Sequence, residues 1–264
     1  MSVYKADNPA GYELSMGRWS RRLALPFLRF ANVKGASRIL DVGCGIGSLS
    51  FALRDAFPNI SITGLDYSQA FVDYARSRGG NGNLHFDRGD AAALPYGDAQ
   101  FDAALSLLVL NFVPAAEKAA IEMKRVTKPG GIVSASVWDF KGGLTFLRVM
   151  ADTAAVLDAS GEAFRSRQFS APLTAPGELA STWSNIGLRD VIQTSLTIRM
   201  DFTSFADYWT PWLNGQGTVG AYIAGLDAAL RERMESYTRS AYLAGSSDGP
   251  RSFAATAWAV RGIV

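Results

Sequence analysis

The chain has 264 residues, 48% hydrophobic and 19% charged, which supports one large α/β core or one domain with a small cap. A net charge of +2 is too balanced to argue for a nucleic-acid or anionic-membrane partner, and a single cysteine, Cys44, excludes an intrachain disulfide and a cysteine-based metal cluster. The longest apolar run, near residues 103–110, falls short of the roughly 18–20 residues of a membrane span, and residues 1–7 hold no apolar signal core, so a soluble cytoplasmic protein with no metal and no membrane contact is expected.

Residues 1–36 interleave apolar and aromatic side chains with Arg18, Arg21, Arg22 and Arg29. The pattern predicts one or two helices, the second starting near Pro26. Such a segment packs on a sheet edge, or it forms a flap that turns Tyr12, Met16 and Trp19 toward a site.

Residues 39–42 read as a buried parallel strand. The strand breaks into Gly43, Gly45 and Gly47 at every second position, and a helical pattern through Leu49, Leu53 and Ala56 follows at once. Strand, glycine turn and helix is a unit that brings backbone N–H groups close to a bound cofactor. The spacing differs from the G-x-G-x-x-G of dinucleotide sites, and Asp41 stands two residues ahead of the first glycine. Cys44 fits this turn as a small packing residue, not as a nucleophile.

Residues 59–66 alternate and end on Asp66, about 20 residues beyond the turn, where a ribose-binding carboxylate is expected. One carboxylate accepts from both ribose hydroxyls at once. Tyr67 is placed to pack on the adenine, and Ser68 to cap a helix over 69–77. Residues 79–83 read as a surface turn, and a short strand over 84–88 precedes Gly89-Asp90-Ala91. His85, the only histidine, reads as structural.

Residues 101–110 are almost continuously apolar, as in a strand buried on both faces. Asn111 and Phe112 follow at its carboxyl end, facing a substrate pocket at the edge where open α/β sheets bind ligands. A helix over 114–127 stops at the turn Lys128-Pro129-Gly130-Gly131. A fifth strand over 132–138 brings Trp138 and Phe140 to the same edge. Residues 141–187 read as an insertion of about one and a half helices, the first ending at 160–161, with a short helix over 178–184. A sixth strand covers 188–200. The stretch 201–213 holds Tyr208, Trp209 and Trp212; a glycine-rich break and one long helix over 221–241 come next. The last strand, 253–263, pairs antiparallel with the sixth.

Four pieces of this pattern together resemble the class I S-adenosylmethionine-dependent methyltransferases, specifically the methyltransferase-11 type family. They are the ILDVGCGIG run at 39–47, Asp66, the long D-A-x-x-L-P-Y-x-D-x-x-F-D run from Asp90 to Asp102, and the Lys-Pro-Gly-Gly turn. The resemblance covers residues 37–140. It implies an α/β fold: a seven-stranded, mostly parallel, Rossmann-like doubly wound sheet with an inserted helical cap. The expected layout is an N-terminal helical flap (1–36), a cofactor core (37–140), a helical insertion (141–187) and a C-terminal strand pair (188–264) with the cap at 201–250.

The resemblance also implies S-adenosyl-L-methionine as cofactor, with S-adenosyl-L-homocysteine as product. Asp41 suits the ammonium of its methionine part. Asp90 would bond the adenine amino group, the Ala91 N–H would meet the ring, and Ser106 and Leu107 would border the methionine part. The expected cofactor set is Asp41, Gly43, Cys44, Gly45, Gly47, Asp66, Tyr67, Asp90, Ala91, Ser106 and Leu107. Pocket candidates for a small-molecule acceptor are Tyr12, Met16, Trp19, Asn111, Phe112, Trp138, Phe140, Tyr208, Trp209 and Trp212. Asn111-Phe112-Val113-Pro114 departs from the Asn/Asp-Pro-Pro-aromatic signature of enzymes that methylate nucleobase amines. An in-line methyl transfer needs no covalent catalyst, and it needs a base only when the nucleophile carries a proton. No catalytic residue, acceptor atom or choice between monomer and homodimer is therefore legible. Two other readings stay open: a module that binds the cofactor without turnover, and a nicotinamide-dependent oxidoreductase.

Overall fold

The computed structural model describes residues 7–79 and 82–264. The front of the expected flap and the middle of the expected 79–83 turn, residues 1–6 and 80–81, lie outside the described residues.

Seven strands form one sheet: β1 (Arg38–Val42), β2 (Ser61–Asp66), β3 (Leu84–Arg88), β4 (Phe101–Leu107), β5 (Thr127–Trp138), β6 (Arg189–Phe202) and β7 (Arg251–Ile263). Their order is β3-β2-β1-β4-β5-β7-β6. The first five are parallel, and β7 runs antiparallel to both of its neighbours, β5 and β6. The order reverses at β1, so its carboxyl end, beside that of β4, is where such a sheet opens a crevice.

Helices cover both faces, which is why β1, β4 and β5 carry apolar residues on both sides. On one face α2 (Arg18–Ala31), α3 (Ser48–Ala56) and α4 (Gln69–Ser77) bury Leu23, Phe27, Leu49, Leu53 and Val72 against Ile39, Ile62 and Leu105. On the other, α5 (Ala116–Val126) and α8 (Glu178–Asn185) bury Met123, Leu179 and Trp183 against Leu40, Ala104, Val133 and Val260. Successive residues Ile39 and Leu40 point to opposite faces, as the period of a strand requires.

Several elements differ from the sequence reading. The N-terminal segment is α1 (Pro9–Tyr12), a π-helical turn (Glu13–Gly17) and α2, which runs through Pro26 without a break there. Lys128–Gly131 is an irregularity inside β5, not a separate turn: Phe101 pairs with Thr127, and Ala103 with Ile132. The insertion holds three helices, α6 (Thr145–Leu157), α7 (Ala159–Phe169) and α8. Residues 160–161 open α7, because Asp158 accepts from Gly161 N (2.8 Å) and starts a new helix there. Helix α8 belongs to the sheet layer; the Trp183 indole donates to the Val133 carbonyl (2.9 Å). After α9 (Phe205–Trp209), the expected long helix is split into α10 (Gly217–Ala224) and α11 (Ala228–Leu243). Asp227 caps α11 by accepting from Leu230 N (2.8 Å).

Candidate active site

The turn after β1 is tied to the end of β2. Gly43 N and Cys44 N both donate to the Leu65 carbonyl, at 2.7 and 2.9 Å. Gly45 N donates to Asp66 Oδ2 and Ser68 N to Asp66 Oδ1, each at 2.9 Å. Two backbone donors thus hold the Asp66 carboxylate in one orientation, with lone pairs left for a ligand. Gly43 has φ +74°, and a Cβ there would fall 2.4 Å from Val109 Cγ1. Only glycine lets the two loops close this tightly. At Gly45 (φ +55°) the case differs: the nearest atom to a Cβ is Phe71 Cδ2 at 3.9 Å, so the space above its backbone is open toward the cavity.

The cavity at this edge is about 600 Å³, within the size range of small-molecule sites. Its sheet-side wall comes from the glycine turn, Asp66 to Ser68, Gly89 to Ala91 and Leu107 to Val109. Tyr12, Ser15, Met16 and Ser20 cover it from the N-terminal segment. The far end is built by Phe112, Trp138, Phe140, Leu144, Phe146, Leu147 and Gln168, with Trp212 and residues 216–219 of the cap.

Burial controls the charges. Asp41 is 1% exposed and accepts from Ser50 Oγ at 2.6 Å; desolvation outweighs that hydrogen bond and raises its carboxyl to about 7. Burial raises Asp66 as well, against the two backbone donors that stabilise its anion. The Cys44 thiol is pushed up by burial and by the charges of Asp66 and Asp41, so it stays protonated and is a poor nucleophile. Tyr12 is raised by burial too, and its hydroxyl shares a hydrogen bond with Ser20 Oγ (3.0 Å). Among the described lining residues, Asp41, Asp66 and Asp90 are the charged ones, and none is cationic.

Of the expected cofactor set, Asp41, Gly43, Cys44, Gly45, Asp66, Tyr67, Asp90, Ala91 and Leu107 line this cavity. Gly47 and Ser106 do not. Gly47 stands behind the turn as the left-handed residue that starts α3, and the Ser106 hydroxyl is buried, donating to the Val42 carbonyl (2.9 Å). Of the pocket candidates, Tyr12, Met16, Phe112, Trp138, Phe140 and Trp212 line it. Trp19, Tyr208 and Trp209 are packed into the core instead. Trp19 meets Phe202 edge-on, the Tyr208 hydroxyl donates to the Phe146 carbonyl (2.7 Å), and Trp209 stacks on Phe205. Asn111 is buried outside the lining.

Sequence reasoning missed Phe71, Val109, Phe146, Leu147, Gln168 and Val219 as wall residues. Phe71 was findable, one turn into the helix that Ser68 caps. Val109 follows β4 and meets the Gly43 turn, whereas Phe146, Leu147, Gln168 and Val219 become wall residues only when the insertion and cap fold over the sheet edge.

A family model described as a methyltransferase domain matches residues 40–135. The chain is 35% identical over 132 residues to a fatty-acid O-methyltransferase of Mycolicibacterium smegmatis, a match covering 48% of each protein. It is 38% identical over 118 residues to a demethylmenaquinone methyltransferase of Renibacterium salmoninarum, covering 45% of this chain and 48% of that one. These matches span about half the length of the curated relatives. In fold, the chain resembles phosphoethanolamine N-methyltransferase 2 of Haemonchus contortus, solved in complex with S-adenosyl-L-methionine. The TM-score is 0.60 at 16% identity, covering 98% of this chain and 57% of that one. The motif-bearing core at residues 40–135 is thus similar to the methyltransferase domain family, and the chain carries the seven-stranded class I methyltransferase fold.

Proposed function

We propose that the chain is a cytoplasmic S-adenosylmethionine-dependent methyltransferase acting on a small apolar acceptor. The observation that carries this reading is the charge of the cavity: three carboxylates, no cation among the described lining residues, and an open backbone cradle at Gly45. The acids lie on the sheet-side wall, and that part of the lining suits a cationic ligand and opposes the pyrophosphate of a dinucleotide there. The names of the two curated relatives, which concern fatty acid and demethylmenaquinone, support an apolar acceptor.

When bound, S-adenosylmethionine supplies a methyl group on a sulfonium sulfur. Asp41 faces the ammonium of its methionine part. Asp66, fixed by Gly45 N and Ser68 N, accepts from the ribose hydroxyls. Asp90 and Ala91 meet the adenine edge, between Phe71 and the exposed Tyr67 side. Tyr12 and Met16 form the flap that excludes water, which strengthens each of these contacts. Beyond the acids the cavity continues between aromatic walls. That extra space supports turnover over a module that only binds the cofactor.

Thermal unfolding with S-adenosylmethionine, S-adenosylhomocysteine and NAD added separately tests the reading. A ligand at 100 times its Kd adds about 2.7 kcal/mol of stability, on the order of 5–10 °C for a chain of this size. The first two ligands are expected to give that shift. A shift with NAD alone overturns the proposal.

A further inference from the structure

The acceptor end of the cavity holds a polar group that the protein leaves unused. Gln168, in the last turn of α7, is 5% exposed and lines the cavity, and its side-chain amide makes no hydrogen bond to another described residue. Buried amides are normally paired, because leaving their donors and acceptors unmet is unfavourable. An unpaired one on a cavity wall calls for a ligand atom. Around it stand Leu144, Phe146 and Leu147 at the start of α6, against which α7 packs, and Trp212, Gln216, Thr218 and Val219 from the cap, a mostly apolar lining.

The chemistry narrows what Gln168 meets. None of the described residues at this end, from flap, insertion or cap, is acidic, basic or histidine. No side chain there is suited to take a proton from an acceptor. Alcohols, phenols and ammonium groups carry a proton that has to leave on methylation; a carboxylate does not.

We propose that the acceptor is a carboxylic acid on an apolar body and that Gln168 is the specificity-determining residue, donating an amide N–H to the carboxylate. This rests on the methyltransferase reading above. One carboxylate oxygen forms the new O–CH3 bond, the C–S bond breaks with its electron pair staying on sulfur, and no proton moves. An anion and a sulfonium become an ester and a thioether, and a step that removes both charges is favoured in an apolar surrounding.

The test compares Gln168→Leu and Gln168→Glu with the parent protein. Dodecanoate, dodecylamine and dodecanol are titrated by tryptophan fluorescence in the presence of S-adenosylhomocysteine, since Trp138 and Trp212 line the cavity. Gln168→Leu is expected to weaken dodecanoate about tenfold, the loss of one hydrogen bond to a charged group. Gln168→Glu weakens it further by like-charge repulsion and strengthens dodecylamine. S-adenosylhomocysteine affinity stays within about twofold in both, and without ligand Gln168→Leu melts a few degrees above the parent, because an unpaired buried amide has been removed. With labelled S-adenosylmethionine the parent forms methyl dodecanoate, and kcat/KM falls about tenfold in Gln168→Leu. Methylation of the amine or alcohol but not the acid overturns the proposal, as does unchanged dodecanoate binding in both variants. If S-adenosylhomocysteine fails to bind the parent protein, the methyltransferase reading itself has failed, a result distinct from failure of the acid to bind.

Discussion

In the proposed function, the buried Asp41 would couple cofactor binding to pH. With its carboxyl raised to about 7, the folded protein holds a proton between about pH 4 and 7 that the unfolded chain has released. The contribution of this group to stability is therefore greatest at acidic pH, falls as pH rises through that window, and is flat above it. Binding an ammonium beside Asp41 favours the ionised form, so below pH 7 the proton has to leave. Affinity for S-adenosylhomocysteine is expected to rise by at most about tenfold per pH unit up to about pH 7 and then level off. In calorimetry, Asp41→Asn should lose most of that slope, leaving the part that belongs to the raised Asp66. Gly43 makes a second residue-scale case. Gly43→Ala combines a left-handed φ with a collision on Val109, and should lower stability by on the order of 2–3 kcal/mol in a denaturant titration. The place of Asp41, Gly43 and Asp66 at the cavity edge was legible because it depends on local spacing at the ends of two strands and one turn. Trp19, Tyr208 and Trp209 were misplaced as wall residues because an aromatic side chain serves a core and a pocket equally well, and only the direction of the element decides between them.

Elements explain why the long motif from Asp90 to Asp102 reads so clearly. Much of it anchors a loop. Glu122 accepts from Leu94 N (2.8 Å), while Arg125 donates to the Tyr96 and Leu94 carbonyls (2.8 and 3.1 Å) and to Asp98 Oδ1 (2.7 Å). Asp102 accepts from Ser37 N, Arg38 N and Lys128 Nζ, which joins the starts of β1, β4 and β5 and holds its carboxyl below the usual range. Arg125→Leu is expected to cost on the order of 1–2 kcal/mol in thermal unfolding and to weaken S-adenosylhomocysteine severalfold by loosening the loop that carries Asp90 and Ala91. The N-terminal segment divides in the same spirit. Deleting residues 1–17 removes cavity cover and should lower S-adenosylhomocysteine affinity about tenfold while circular dichroism stays native. Deleting 1–31 also removes the fully buried Leu23 and Phe27 and should abolish folding. Element boundaries were the least legible feature of the sequence. The cap at Asp227 sits inside a run whose apolar spacing continues across it, so one helix was read where two were built, and Ser160-Gly161 was read as a stop where Asp158 starts α7.

At the scale of the whole molecule, the parallel half of the sheet brings Asp41, Asp66 and Asp90 to one edge, and the later segments build the chamber over it. This division explains the unequal legibility. The sheet-side wall of the cavity comes from residues 41 to 109 in consecutive strand ends, whereas the far wall joins residues 112–140 to the insertion and the cap, which meet only in the folded chain. The placement of β7 has a consequence for synthesis. Seventh in sequence, it lies between β5 and β6 and pairs with both. A nascent chain that has released β6 therefore has no interior partner to zip it to β5, and two unpaired edges wait until residues 251–263 leave the ribosomal tunnel. Completion of the sheet thus waits for that last strand, and a chaperone that covers open edges should be found on stalled chains of about 240 exposed residues and released from longer ones.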